Sequence, residues 1–311
     1  MKRLGEGTTF AEISKAALSR VELSFPTAMA EQTRIAEILS TVDQAIEQTE
    51  ALIAKQQSIK IGLIEDLLTR GIDEQGNLRS EETHRFKDSP LGRIPVEWEV
   101  NSLGSILRQT GAVLRTGPFG SQLHAQEYVT EGVPVVMPQN IVDGKVQLEM
   151  IARVTEAKAQ SMAQYRLHDN DIVFSRRGDL SRATAIGVHG RGWLCGTGCF
   201  MLRVPARLVE SRWLAAMYRF GLVQRQVAAR AVGSTMPSLN STVMGSLLLP
   251  LPEYEEQQEI ANRASAVELA VESEFAHYRK LRSLKTGLMQ DLLTGRVRVT
   301  PLLNDTEVMG E

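Results

Sequence analysis

The chain is poor in cysteine, with two in 311 residues, and it has no apolar run near the roughly eighteen residues that cross a bilayer. It shows no secretory leader. These absences predict a cytosolic chain without disulfides. Motifs for chemistry are missing too. There is no P-loop, no glycine-rich strand-turn-helix fingerprint for nucleotides and no Asn/Asp-Pro-Pro-aromatic motif for methyl transfer. Neither a nucleophile elbow nor a zinc ligand set is present. Cys195 and Cys199 are spaced C-x3-C, but a metal would need two further ligands, and only His168 and His189 are near. The two cysteines read as small buried residues of a strand. No cofactor is expected, and the chain reads as one built to bind rather than to react.

What the chain does have is a repeat. Residues 31–70 align without a gap on residues 256–295, an offset of 256 − 31 = 225, with 18 of the 40 pairs identical. Among them are Glu31/Glu256, Gln32/Gln257, Ile35/Ile260, Lys60/Lys285 and the shared Asp66-Leu67-Leu68-Thr69 and Asp291-Leu292-Leu293-Thr294. The likeness reaches upstream, where Gly7-Thr8-Thr9 through Phe25-Pro26 matches Gly233-Ser234-Thr235 through Leu251-Pro252 at an offset of 226. A repeat of this kind brackets a single intervening domain and predicts an almost two-fold arrangement.

Both copies predict long helices. Ile35, Val42, Thr49, Gln56 and Leu63 fall seven apart, with Ile38, Ala45, Leu52 and Ile59 as a second seam. The second copy supplies Ile260, Val267, Glu274, Leu281 and Leu288, with Ala270, His277 and Leu284 beside them. Heptad spacing draws an apolar stripe along one face, the pattern of helices that pack lengthwise. Forty residues make a rod of roughly 60 Å, too narrowly apolar to stand alone. Its expected partner is its own copy, lying antiparallel as a coiled coil. Pro26, Pro250 and Pro252 mark the helix starts, and Gly71 and Gly295-Arg296 the exits.

At 43% hydrophobic and 23% charged residues the chain is an ordinary soluble protein with length for one or two domains. Its net charge of −2 hides a local asymmetry. From Arg153 to Arg230 there are thirteen Lys+Arg against five Asp+Glu, a balance of 13 − 5 = +8, and twelve of the thirteen are arginine. The planar guanidinium suits phosphates and the O6/N7 edge of guanine, and clustered positive charge in a near-neutral chain is a nucleic-acid footprint. A solvated basic face is the bland alternative.

Between the helices the pattern is mixed α/β. A polar stretch over 71–90 precedes Pro95-Val96-Glu97-Trp98, which opens the domain, and Gly117–Ser121 forms a turn cluster. Val133–Val136 reads as a strand and Asp143-Gly144 as a hairpin turn. Thr155 reads as a helix cap, with Lys158 one turn on. Asp171–Phe174 is a strand running into Ser175–Arg182, and a glycine-broken strand region covers Gly190–Val204. A helix capped by Ser211 is expected to run to about Arg230. The Gly233–Pro237 loop leads to a short helix after Asn240 and a strand at Leu247–Leu251.

Any chemistry concentrates at Ser175–Arg182, where a strand ending in Ser-Arg-Arg-Gly turns basic side chains and backbone N–H groups outward together. The bland reading is a solvated hairpin tip. Asp171 and Asp179 could form a carboxylate pair, but turn and cap roles suit them better. The candidates for DNA contact are Arg176, Arg177, Ser181 and Arg182, then Gln139, Asn140 and the Gly233–Thr235 loop with Ser234 and Thr235. Gln and Asn suit adenine edges and arginine suits guanine.

These residues carry a resemblance. The order is a long helix with Asp-Leu-Leu-Thr, then Pro-Leu-Gly-Arg-Ile-Pro-x-x-Trp (Pro90–Trp98) and Gly-Pro-Phe-Gly-Ser (Gly117–Ser121). Gly-Val-Pro (Gly132–Pro134), Asp-Ile-Val-Phe-Ser-Arg-Arg-Gly (Asp171–Gly178), Gly-Ser-Thr-Met-Pro-Ser-Leu-Asn (Gly233–Asn240) and Leu-Pro-x-x-x-Glu-Gln (Leu251–Gln257) follow. The whole resembles the specificity subunit of type I DNA restriction–modification complexes. The resemblance implies a non-catalytic subunit with an α/β target-recognition domain that reads double-stranded DNA. It implies methyltransferase subunits docked on the long helices, which act as a ruler, and a restriction and translocase subunit joined through the complex.

A full subunit of that family carries two recognition domains. Here residues 1–27 read as the remnant of a first one, 28–70 as a conserved helix, 71–95 as a linker, 96–252 as the complete recognition domain, 253–297 as the second helix and 298–311 as a tail. A half-type chain of this plan could pair as a homodimer and favour a palindromic split target. Two other classes compete. One is a coiled-coil scaffold whose α/β domain binds a protein or small ligand; the other is the recognition module of a fused restriction enzyme, for which no catalytic half is present.

Overall fold

The structure, a computed structural model, describes residues 14–21, 25–205, 208–231 and 237–303. In chain order the elements begin with α1 (Lys15–Leu18), α2 (Met29–Thr69), β1 (Phe86–Ser89), β2 (Gly92–Pro95), β3 (Glu99–Ser102), α3 (Leu103–Thr110) and β4 (Val113–Thr116). There follow β5 (Val133–Val136), β6 (Ile141–Val142), β7 (Lys145–Val146), β8 (Arg153–Val154), α4 (Glu156–Ser161), β9 (Ile172–Ser175) and β10 (Ala183–Ala185). The chain closes with β11 (Leu194–Cys195), β12 (Cys199–Arg203), α5 (Ser211–Arg219), α6 (Gly221–Arg230), α7 (Ser241–Ser246), β13 (Leu248–Leu251) and α8 (Tyr254–Leu292). It divides into two compact units, residues 1–58 with 269–311, and residues 59–268, so each long helix contributes to both. No helix among the described residues is long and apolar enough to cross a membrane.

In the first unit the two helices run antiparallel, because rising numbers on one meet falling numbers on the other. Lys285 pairs with Asp43 at 2.5 Å, and Tyr278 donates to Glu50 at 2.5 Å. Ile35 packs with Leu292 and Val299. Glu31 is fully buried and accepts two hydrogen bonds from Arg298, at 2.7 and 2.6 Å. Gln32 turns back to donate to the Pro26 carbonyl at 2.8 Å, which pins the start of α2.

The seam differs from the heptad expectation. Leu52 and Ile59, placed on it by a seven-residue count, are 42% and 55% exposed, and Leu284 is 51% exposed. The expected positions Ile35, Thr49 and Ile260 are buried, but the seam mixes two spacings. Ile46 and Ile53 lie seven apart, as do Gln257, Ala264 and Val271, whereas Ile35 and Ile46, Ile53 and Ile64, and Ile260 and Val271 lie eleven apart. A straight helix of 3.6 residues per turn drifts about 20° per heptad, and an eleven-residue period follows it more closely.

The second unit carries the α/β domain packed on the inner ends of both helices. Ile64, Leu67 and Leu68 of α2 and Ile260, Ala261 and Ala264 of α8 share one core with Trp98, Phe174, Trp213 and Tyr218. Each leucine, isoleucine or phenylalanine so buried contributes about 1.5–3 kcal/mol. Lys60 meets Glu268 here at 4.0 Å, the internal-repeat counterpart of Lys285 with Asp43. Glu256 accepts from the Ile72 N–H at 2.8 Å, from Trp98 Nε1 at 3.1 Å and from the Arg79 guanidinium. Gln257 donates to the Pro252 carbonyl at 2.9 Å, as Gln32 does to Pro26, and accepts the Glu210 N–H at 2.9 Å.

Residues 71–95, expected as a linker, are folded. Ile72 bridges Leu78, β1 and β2 form a hairpin, and Ile72 and Ile94 lie in the core. The turn Ser89-Pro90-Leu91-Gly92 supplies the hairpin signal, with Gly92 at φ 97. The single helix expected from Ser211 to Arg230 is two. Phe220 adopts φ −114, ψ 150 and Gly221 has φ 43, which breaks the helix, and the cap of α5 is Glu210, not Ser211. Thr155 and Asn240 cap α4 and α7 as expected, and Asp143 and Gly144 turn the β6–β7 hairpin with φ of 49 and 76.

Candidate nucleic-acid interface

The site is set by one row of the four-stranded sheet β10-β9-β12-β4, whose neighbours are all antiparallel. Ala183, Phe174, Phe200 and Thr116 stand side by side across it. Beyond that row β4 leaves into Gly117–Ser121 and β9 into Ser175–Arg177, while β12 and β10 arrive from Gly198 and Arg182. Three sequence-distant loops therefore meet at one sheet end because of register alone.

Two further segments join them. Gly178 donates to the Pro237 carbonyl at 3.1 Å, and Leu239 to that of Arg176 at 3.0 Å, which brings in the stretch before α7. Parallel pairing of β11 with β5 and the bond from Gly196 N–H to Val136 O, at 2.8 Å, place the Pro138–Asn140 turn there as well. Arg182 ties it down by donating Nη1 to the carbonyls of Pro138 and Ile141, at 3.1 and 3.3 Å. A polar cleft of about 260 Å³ opens beside it, between the β6–β7 hairpin, Asp179, Ser181, Arg182 and Arg219, with Lys60 and Glu268 of the long helices.

The structure thus brings Gln139, Asn140, Arg176, Arg177, Ser181 and Arg182 together, but in different states. Arg177 is exposed and makes no side-chain hydrogen bond or ion pair among the described residues. Gln139 is exposed, with its amide 3.6 Å from the Met137 sulfur. Arg176 donates Nε to the Leu239 carbonyl at 3.2 Å and lies over the Phe200 ring at 5.7 Å. Arg182 donates Nε to Asp179 at 2.9 Å, and Ser181 donates its hydroxyl to the same carboxylate at 2.6 Å. That hydroxyl, then Arg182, hold the Asp179 carboxyl below its usual range. Asn140 is buried, and its Oδ1 accepts the Met137 N–H at 3.0 Å. Ser234 and Thr235 lie outside the described residues.

The charge excess resolves in the same way. All five carboxylates between Arg153 and Arg230 are held by arginines of that segment: Glu156 by Arg166, Asp169 by Arg191, Asp171 by Arg203, Asp179 by Arg182 and Glu210 by Arg212. Arg177 is left at the sheet end without an acidic partner among the described residues. Asp171 is buried beneath Arg203, at 2.8 and 2.6 Å, and accepts the His168 N–H at 2.7 Å, so it holds the N-terminal end of β9, away from the loops. Cys195 and Cys199 are fully buried, and burial pushes the Cys195 thiol up to about 12 and the Cys199 thiol well up. Among the described residues no three His, Cys, Asp or Glu side chains are grouped to hold a metal ion.

One exposed residue at this end was not among the sequence candidates. Phe119, at the tip of the β4 loop, is 58% exposed. Its loop was visible in the sequence only as a turn cluster.

Fold and site define an α/β domain set between two copies of a long helix, with its cationic loops gathered at one sheet end. Residues 1–56 and 95–279 match the type I restriction modification DNA specificity domain, and the chain belongs to that family. It is 24% identical over 308 residues to the type I restriction enzyme MjaVIII specificity subunit of Methanocaldococcus jannaschii, covering 97% of this chain and 68% of that one. The putative MjaX specificity subunit of the same organism is 28% identical over 215 residues, covering 67% of this chain and 48% of the relative. The fold is shared with the S subunit from M. genitalium (TM-score 0.59, 17% identity, 94% of this chain and 68% of that one). It is shared as well with the HsdS subunit from Thermoanaerobacter tengcongensis (TM-score 0.50, 12% identity, 94% and 65%).

Proposed function

We propose that this chain is the sequence-specific DNA-binding subunit of a type I restriction–modification complex, directing adenine methylation and restriction carried out by partner subunits. The observation that carries the reading is the convergence of five segments at one sheet end, with Arg177 and Gln139 presented outward. Phosphate contacts supply affinity and a few side chains read base edges. Arg177 is the leading DNA contact, followed by Gln139. Arg176 and Arg182 first build the loops and contact DNA with their remaining guanidinium N–H groups, Ser181 accepts through its hydroxyl oxygen, and Asn140, Ser234 and Thr235 complete the candidate set. The chain itself carries no catalysis, needs no cofactor and works in the cytoplasm.

Methyltransferase subunits dock on the long helices, a reading supported by the exposed apolar residues Leu52, Phe275, Leu284 and Met289 along them. The restriction and translocase subunit joins through that complex. A second copy of the chain would supply a second recognition domain, which the internal two-fold character of the helix repeat supports.

Co-expression with the neighbouring methyltransferase gene, followed by genome-wide mapping of methylated adenine, tests this. A single two-part motif that depends on this chain is the expected result, and a palindromic motif would support the homodimer. Soluble complex without new methylation would overturn the proposal.

A further inference from the structure

Phe119 is the one fully presented aromatic of residues 59–268; every other aromatic among the described residues of that unit is buried or half-buried. Single exposed apolar residues are common on protein surfaces and need no function. Phe119 differs in how its loop is held. Gly117 donates its N–H to the Cys199 carbonyl at 2.8 Å, and its Cα packs so closely on Gly196 that an added Cβ would lie 2.0 Å from the Gly196 oxygen. Pro118 is buried, and Leu123 is 4% exposed in a core cluster with Tyr165 and Val135. Between these anchors the Gln122 side chain accepts both the Phe119 N–H, at 3.2 Å, and the Tyr165 hydroxyl, at 3.0 Å. The Gln122 N–H returns to the Phe119 carbonyl at 2.8 Å. The ring is thus carried outward on a preorganised loop at the sheet end that also presents Arg177.

We infer that Phe119 is an apolar wedge of the DNA interface, entering a groove beside the phosphates neutralised by Arg177 and stacking at a partly opened base step. An inserted apolar side chain spends unstacking energy to gain a bent duplex that meets more protein surface. Its rigid carriage means that little ordering entropy is lost when DNA arrives. The inference rests on the DNA-binding reading above.

The test uses the full chain in complex with its methyltransferase and a duplex carrying the motif mapped from methylated DNA. Wild-type binding to that duplex establishes the DNA reading before any variant is compared, and its absence would sink that reading rather than this one. Phe119→Ala should weaken binding about tenfold, the scale of one lost base–aromatic stack, with an unchanged melting temperature. Its affinity should fall equally at every salt concentration, because the phosphate contacts and their counterion release remain. Phe119→Trp should bind within about threefold of wild type, and its added tryptophan emission should be quenched by the duplex. Wild-type affinity in Phe119→Ala would overturn the inference. So would equal losses in the alanine and tryptophan variants, which would mark a steric position rather than a stacking ring.

Discussion

Glu31 and Arg298 stand 267 residues apart and meet through two hydrogen bonds, of 2.7 and 2.6 Å, one in the first turn of α2 and the other just past the end of α8. The repeat explains the geometry. Glu31 is the first-turn residue of one copy, and its counterpart Glu256 accepts the Arg79 guanidinium in the other unit. In each unit a helix-start carboxylate takes hydrogen bonds from chain just past the end of the other helix: the Val299 and Ile72 N–H groups.

Removing the Glu256 carboxylate should be severe. Glu256→Ala removes the close partner of Arg79, whose side chain is 8% exposed and keeps only Glu97 at 4.0 Å and the Arg70 carbonyl at 3.4 Å, and leaves the Ile72 N–H and the Trp98 indole without acceptors. Breaking one partner of a buried pair costs about 3–5 kcal/mol. Chemical denaturation should show a loss of that size, whereas Glu37→Ala, on an exposed i,i+3 pair with Arg34, should change stability by less than about 0.5 kcal/mol.

Stability should fall with acid. The Arg298 hydrogen bonds hold the Glu31 carboxyl below its usual 4.5. The Asn77 N–H lowers Asp73, the His124 N–H lowers Glu127, and the Ser181 hydroxyl lowers Asp179. A folded-state pKa below the unfolded value means that the native state binds fewer protons. The stabilisation is then complete above the unfolded carboxyl range and is lost as pH falls through the depressed values. Urea midpoints should be flat above about pH 5 and decline below it, and Glu31→Gln should make the decline shallower. An unchanged decline in that variant would remove Glu31 from the set.

The helices and their antiparallel partnership were legible because one sequence occurs twice, and identity across the copies marks shared contacts such as Glu31/Glu256 and Lys60/Lys285. The seam was not, since heptad counting cannot show that Leu52 and Ile59 drift outward on a straight helix. The break between α5 and α6 falls at Gly221, whose left-handed φ of 43 ends a run that apolar periodicity alone reads as one helix. Within the site, Arg177 is exposed, as a strand end that turns basic side chains outward would place it. The engagements of Arg176 and Arg182 depend on the carbonyls of Leu239 and Pro138, which only tertiary structure brings close. Phe119 was hidden for the same reason: its loop is held by Gly196 and Tyr165, far along the chain.

The two neighbouring arginines should separate cleanly. Arg177→Ala removes a side chain that makes no side-chain hydrogen bond or ion pair among the described residues, so stability should move by less than about 0.5 kcal/mol. Its cost should appear in DNA binding, as weaker affinity and a salt dependence shallower by about one unit. Arg176→Ala should instead lose about 1–2 kcal/mol of stability, because the bond to Leu239 and the contact over Phe200 both disappear. Melting curves and binding titrations across salt concentrations distinguish the two. Equal stability losses would mean that Arg177 is also built into the loops.

Gly117 and Gly120 offer a contrast within four residues. An added methyl at Gly117 meets the Gly196 oxygen at 2.0 Å and its carbonyl carbon at 2.9 Å, both backbone, so neither can swing aside. At Gly120 nothing lies within 4 Å. Gly117→Ala should therefore destabilise by about 1–3 kcal/mol, the usual range for overpacking, and displace the loop that carries Phe119. Gly120→Ala should leave stability and DNA affinity unchanged, because neither space nor backbone conformation opposes it. The comparison isolates the anchor from the tip, since both variants add the same methyl to the same loop. A Gly117→Ala protein that melts and binds like wild type would show that β4 and the Gly196 turn can part at little cost. Preorganisation of Phe119 would then rest on the buried Pro118 and Leu123 and on the Gln122–Tyr165 bond.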